Sequence, residues 1–226
     1  MPNQENARPY VGILFDLDGT LVDSLELILS SYRHTMRKYL GHAPPDEEWM
    51  RTMGTPLREQ LAGFAETPEQ AEAMFETYIQ HNEKNYRRLL RPFPGMVEAI
   101  DALGRAGYRM GVVTSKIREH AIRELRACRL DDHFDTLVSA SDVQHPKPHP
   151  EPVLQLLTAL EVSAGDALLV GDSIFDLQSG RAAGVATAAA LWGPFDHRRL
   201  EAAEPDFWLN SIENLVALLG VDRSGR

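Results

Sequence analysis

Residues 12–20 read GILFDLDGT, an apolar run that ends in two aspartates and a glycine. With Val11 the run VGILF has the β-branched and aromatic character of a strand buried on both faces. Buried strands do not end in paired carboxylates without a partner for the charge. By average composition, DLDGT arises by chance in a chain of this length with a probability of roughly a few in ten thousand. The stretch therefore raises a chemical question as well as a structural one.

Further runs follow the same pattern. YRMGVVTS (108–115), FDTLVSA (134–140), ALLVGDS (167–173) and VATAAAL (185–191) read as strands, as does VGILFDLD (11–18). Amphipathic helical patterns lie between them, near 95–105, 117–128, 150–160 and 174–183, and SIENLVALLG closes the series with a glycine stop. Such alternation predicts an α/β fold with a Rossmann-like parallel sheet core. From Asp23 to Pro92 the alternation breaks and no convincing strand is present. Leu25, Ile28, Leu29, Tyr32, Met36 and Leu40 have helical spacing, Asp23 and Glu26 read as a capping pair, and Gly41 as a stop. The stretch PEQAEAMFETYIQHNEKNYRRLL adds a second long helical pattern. The expected division is a core of residues 1–22 and 93–226 with an all-helical cap at 23–92. A frayed polar tail is expected after Gly220.

Composition narrows the function. Of 226 residues, 43% are hydrophobic and 25% charged, the balance of a water-soluble globular chain. The net charge of −10 argues against a nucleic-acid partner. No apolar run reaches the ~18 residues of a membrane span, and MPNQENARPY lacks the apolar stretch of a secretory signal. The single cysteine, Cys128, excludes an internal disulfide and fits a cytoplasmic setting.

Four constellations carry the chemistry. In DLDGT, Asp16 and Asp18 share a strand face, Gly19 permits a sharp turn and Thr20 offers a hydroxyl. GDSIFD places Asp172 and Asp176 after a second strand. Two carboxylates ~4 Å apart at an effective dielectric of ~20 repel by about 4 kcal/mol. Several converging on one crevice need a cation, and an oxygen-only set favours Mg²⁺. Thr114 and Ser115 end the strand before VVTSK turns, where hydroxyls and backbone N–H groups can hold phosphate oxygens. In HPKPHP, prolines stiffen the mount of Lys147. They also exclude the helix that would align His145 and His149 as metal ligands, so no zinc site is expected there.

Taken in order, DLDGT, the TS of VVTSK, Lys147 and GDSIFD resemble the four signature motifs of the haloacid dehalogenase superfamily, across residues 10–220. The resemblance implies that Asp16 attacks phosphorus and also binds Mg²⁺. It implies that Asp18 shuttles the proton with its carbonyl on the metal, and that Asp172 ligates the metal. Asp176 and Thr20 would support these groups from behind. Ser115, or Thr114 if the register slips by one, would hold the phosphoryl group with Gly19, and Lys147 would steady Asp16. An intact second aspartate distinguishes phosphatases from the dehalogenating and phosphonate-cleaving branches. TSK, KPHPEP and EPDFWLNSIENL look similar to phosphoglycolate phosphatases and to the inorganic pyrophosphatases of the superfamily, and HTMRKYLG and EAAEPDFWL lean towards pyrophosphate. The implied partner is a small anionic phosphorylated substrate. A sugar-phosphate mutase and a non-catalytic regulatory protein are the alternatives. Within WMRTMGTPLREQL, the Gly54-Thr55-Pro56 turn is expected to dip over the site. Arg51, Arg58 and Lys116 are candidates to meet a second anionic group, while Trp49 and Phe93 read as packing residues.

Overall fold

β1 (Gly12–Phe15) lies at the centre of the molecule, and its alternate side chains pack in opposite directions. Ile13 and Phe15 enter one apolar cluster with Ile100, Leu103 and Leu215. Leu14 enters another with Leu156, Leu160 and Leu169. In the computed structural model, which describes residues 10–221, the chain continues as β2 (Val22–Asp23), α1 (Leu25–Leu40), α2 (Asp46–Met50), α3 (Leu57–Ala62) and α4 (Pro68–Leu89). It then forms β3 (Arg91–Pro92), α5 (Met96–Arg105), β4 (Arg109–Val113), α6 (Arg118–Ala127), β5 (Thr136–Val138) and α7 (Glu151–Leu160). β6 (Ala167–Gly171), α8 (Ile174–Ala182), β7 (Ala186–Ala190), α9 (His197–Glu201), β8 (Phe207–Leu209) and α10 (Ile212–Leu218) complete it.

Six strands form one parallel sheet in the order β5-β4-β1-β6-β7-β8. The chain builds outward from β1 to one side through β4 and β5, then to the other through β6, β7 and β8. The reversal falls beside β1, where doubly wound sheets open a crevice at the carboxyl ends of their strands. Helices cover both faces, as the expected α/β core requires.

The insertion between β1 and β4 is helical. α1 packs along α4, and Gly41 ends α1 in the left-handed conformation (φ 76°). Thr67 caps α4 by accepting from the Gln70 N–H. Trp49, 1% exposed, stacks with Tyr32 at 4.8 Å and with Tyr78 at 5.7 Å. Its cluster continues into Leu177 of α8 and Ala189 of β7, so apolar packing joins the insertion to the sheet layer.

Several details depart from expectation. The capping pair of Asp23 and Glu26 does not form: Ser24 is the N-cap of α1, and its hydroxyl donates instead to Asp18. Asp23 lies in β2, and Glu26 pairs with Arg33. A two-residue antiparallel ribbon of β2 and β3 ties the start of the insertion to its end, pairing Val22 with Pro92 and Asp23 with Arg91. β1 ends at Phe15, leaving both aspartates beyond the strand, and β8 is an additional edge strand. The polar start at 1–9 and nearly all of the tail after Gly220 lie outside the described residues.

Trp49→Ala removes the central ring of the insertion's core and should cost about 3–5 kcal/mol of unfolding free energy. Urea denaturation checks this; a loss under about 1 kcal/mol would contradict the packing described.

Candidate active site

The motif residues meet where the strand order reverses. Asp16 follows β1, Thr114 follows β4 and Asp172 follows β6, so neighbouring strand tips deliver two carboxylates and a hydroxyl to one crevice. Asp176 arrives from the first turn of α8. There it forms a capping box with Ser173, accepting from the Ser173 N–H (3.0 Å) and hydroxyl (2.5 Å). Carboxylate oxygens of Asp16, Asp172 and Asp176 come within 4.8 Å of one another, and all three residues are buried.

Lys147 is the counter-charge. Its ammonium donates to Asp16 Oδ1 (2.7 Å), Asp176 Oδ1 (2.5 Å) and the Val113 carbonyl (2.9 Å). Burial opposes its charge, yet the two carboxylates outweigh burial and hold it above the usual lysine range. One ammonium does not balance three carboxylates. Burial, then the Asp176 charge, pushes Asp16 up to about 7 against the pull of Lys147. Burial, then the charges of Asp16 and Asp176, raises Asp172 well above the carboxylate range.

The hydrogen bonds leave a defined remainder. Asp172 Oδ1 accepts from the Thr20 hydroxyl (2.8 Å), while Asp176 is engaged through both oxygens. Among the described residues, nothing donates to Asp16 Oδ2 or Asp172 Oδ2. Two carboxylate oxygens without donors, turned to the crevice from residues that are themselves buried and resist ionisation, fit a hard divalent cation such as Mg²⁺. Asp16 and Asp172 would hold it, with Asp176 and Thr20 fixing the surrounding groups.

Asp18 is outside that cluster. Its Oδ1 accepts from the Ser24 hydroxyl (2.5 Å) and from the Lys116 ammonium (2.5 Å). Lys116 also pairs with Glu124 Oε2 at 2.6 Å. Glu124 is fully buried and, mainly through burial, raised to about 7. Asp18 and the crevice carboxylates border a cavity of about 430 Å³ that the insertion overhangs. Its polar floor faces an apolar roof that includes Trp49, Met53, Leu57, Phe75 and Ile79.

The Gly54-Thr55-Pro56 turn does reach over this site. Ser115 donates to the Gly54 carbonyl at 2.6 Å, and a Cβ at Gly54 (φ 110°) would stand 2.8 Å from Phe175. Thr114 is buried at the tip of β4, and its hydroxyl oxygen accepts from the Lys116 N–H (3.2 Å). Of the candidate cations, Lys116 lies at the cavity in the pairings above. Arg58 borders it but pairs with Glu72 and stacks on Phe75. Arg51 is exposed and is not among the residues bordering the cavity. Phe93 packs at the edge of the core, as expected.

Three contributors escaped the sequence reading. Ser24 and Glu124 act through tertiary contacts, although Glu124 left a trace: it shares a helix face with Ala121, Leu125 and Cys128, where a charge is out of place. Gly193 left none. A Cβ there would lie 2.5 Å from Asp172 Cβ and 2.8 Å from the Gly19 carbonyl, while one at Gly19 (φ 80°) would lie 2.4 Å from Asp172 Oδ2. Two glycines thus let backbone close around the Asp172 carboxylate.

A family model described as haloacid dehalogenase-like hydrolase matches residues 13–190. Pyrophosphatase PpaX of Bacillus velezensis is 37% identical over 209 residues, covering 92% of this chain and 96% of that protein. A crystal structure titled as a haloacid dehalogenase-like hydrolase from Bacteroides fragilis superposes with a TM-score of 0.84 at 27% identity, covering 91% of this chain and 99% of that one. A predicted phosphoglycolate phosphatase from Haemophilus somnus shares the fold, with a TM-score of 0.85 at 24% identity over 94% of this chain and 99% of its own.

Gly193→Ala should displace the Asp172 carboxylate and weaken divalent-cation binding, measured by calorimetry, at least tenfold. Unchanged affinity would contradict the close packing of Gly193 against a cation-holding Asp172.

Proposed function

The chain belongs to the haloacid dehalogenase-like hydrolases, and from that premise we propose that it is a Mg²⁺-dependent phosphatase acting through an aspartyl phosphate on Asp16. The observation that carries this reading is the convergence of Asp16, Asp172, Asp176 and Lys147 at one switch-point crevice. When bound, Mg²⁺ supplies positive charge that keeps Asp16 and Asp172 ionised and offsets the charge of the phosphoryl oxygens.

The protein's own groups divide the work. Lys147 holds Asp16 in place through Oδ1, and the Asp16 carboxylate attacks phosphorus. As the bond to the leaving oxygen breaks, Asp18 gives that oxygen a proton. It then takes a proton from the water that attacks phosphorus and regenerates the Asp16 carboxylate. Thr114 is better placed than Ser115 to donate to a phosphoryl oxygen. Its oxygen accepts from the Lys116 N–H, which leaves its own proton available, whereas the Ser115 proton is committed to Gly54. Residues 23–92 act as the cap. It excludes water during the first half-reaction and admits it for the second by hinging at 22–23 and 93–94.

The substrate proposed is a small phosphorylated anion, pyrophosphate or a phosphoglycolate-like monoester. The PpaX relatives and the Lys116 ammonium at the cavity support it. A panel of phosphorylated compounds ranked by kcat/KM separates these, and stoichiometric release of free phosphate, one per monoester or two per pyrophosphate, excludes a mutase.

Asp16→Asn should lower turnover of an aryl phosphate by at least a thousandfold. Activity within a few-fold of the parent chain would rule out covalent catalysis at this residue.

The raised Asp16 also sets a pH dependence. A carboxyl moved from 3.8 to about 7 keeps its proton in the folded metal-free chain after the unfolded chain has lost it, so this group's stabilising contribution is largest at low pH and falls across that window. A cation favours the ionised form and must displace the proton below about 7. At fixed Mg²⁺, the gain in melting temperature should therefore be larger at pH 8 than at pH 5. A pH-independent gain would contradict the assignment of Asp16 as a ligand.

A further inference from the structure

The HPKPHP segment holds more than Lys147. The prolines do exclude a helix here, but the turn that forms in its place brings the histidines together. Their rings lie 4.7 Å apart, and donor atoms of His145, His149 and Glu151 fall within 4.8 Å of one another. The turn thus makes the two histidines neighbours without the helix that their alignment was expected to need.

Three features make the group a prepared site. First, the separations straddle what an ion needs. The Nδ1 atoms of His145 and His149 stand 2.7 and 4.0 Å from Glu151 Oε2, while a tetrahedral ion about 2.0–2.2 Å from each donor needs donor separations of roughly 3.3 Å. Small ring rotations bridge the difference. Second, the carboxylate is already oriented. Glu151 Oε1 accepts from the Gln144 N–H (2.7 Å) and Oε2 from the His145 N–H (3.1 Å), the outer support that ligating carboxylates have in metal sites. These bonds, with the Gln144 N–H first, also hold the Glu151 carboxyl below its usual range. Third, Pro146, Pro148, Pro150 and Pro152 alternate through the segment, so little backbone freedom remains to be lost on binding.

We propose that His145, His149 and Glu151 form a second cation site, for a borderline transition-metal ion of the Zn²⁺ type, on the outer side of the loop that carries Lys147. Two imidazoles and one carboxylate suit Zn²⁺, whereas the all-oxygen crevice suits Mg²⁺, so one chain sorts two cations by donor chemistry. Binding replaces the hydrogen now bridging His145 Nδ1 and Glu151 Oε2 (2.7 Å), which leaves to solvent or shifts to the outer ring nitrogen. It also frees His149 Nδ1 from the Glu151 N–H (3.1 Å). The side chains are 63%, 50% and 30% exposed for His145, His149 and Glu151, so an ion can enter directly. The proposal stands independently of the phosphatase reading, because none of its three residues is assigned to that chemistry.

Equilibrium dialysis of the full chain against Zn²⁺, with Mg²⁺ in large excess to occupy the crevice, tests it. One Zn²⁺ per chain is expected. His145→Ala and His149→Ala should each weaken binding at least tenfold while keeping the parent circular dichroism spectrum, and Asp16→Asn should leave it unchanged. X-ray absorption at the zinc edge should show two imidazoles and a carboxylate oxygen. Absence of retained Zn²⁺ would overturn the proposal. So would full retention in the His145→Ala/His149→Ala double variant, or loss in Asp16→Asn.

Discussion

Three buried carboxylates share one ammonium, and much of the architecture around the crevice follows from that imbalance. Lys147 neutralises one unit of charge while bridging Asp16 and Asp176. What remains is spread over Asp16 and Asp172, both of which resist ionisation. Burial of both residues limits how far water can relieve the repulsion. Asp16 and Asp172 by themselves therefore resist the charge that a catalyst would need, and a divalent cation is the simplest species that reverses this.

The fold answers the imbalance with backbone. A parallel sheet whose order reverses at β1 brings the ends of β1, β4 and β6 side by side, so residues far apart in sequence become neighbours without long loops. Gly19 and Gly193 let main chain approach Asp172 more closely than any side chain would allow. The β2–β3 ribbon then ties both ends of the helical insertion next to Asp18. Through Ser24 and the Gly54 turn, the insertion touches Asp18 and Ser115 beside the crevice.

Patterns set by near neighbours were legible, and features that depend on distant partners were not. Buried runs such as ALLVG and ATAAA announce central strands because nearly every side chain in them is apolar. Phe207–Leu209 does not, since so short a run, two of its three residues only half-buried, becomes a strand only by pairing with β7. Asp23 and Glu26 had the spacing of a capping pair, but Ser24 takes the cap position and turns its hydroxyl to Asp18 instead. The motif aspartates could be read because buried charge after an apolar run violates an elementary expectation. Gly193 could not, because its role is defined only by what stands opposite it. The adjacency of the histidines in HPKPHP was not legible for a related reason: helical spacing is one way to align two side chains four residues apart, and a rigid turn is another.

The most direct measurement is a crystal structure of the protein with Mg²⁺ and beryllium trifluoride, a mimic of a phosphorylated carboxylate. The predicted result is the fluoride adduct on Asp16, one cation bonded to Asp16 and Asp172 together, and Lys147 still between Asp16 and Asp176. An adduct elsewhere, or a crevice in which Asp16 and Asp172 share no ion, would contradict the account.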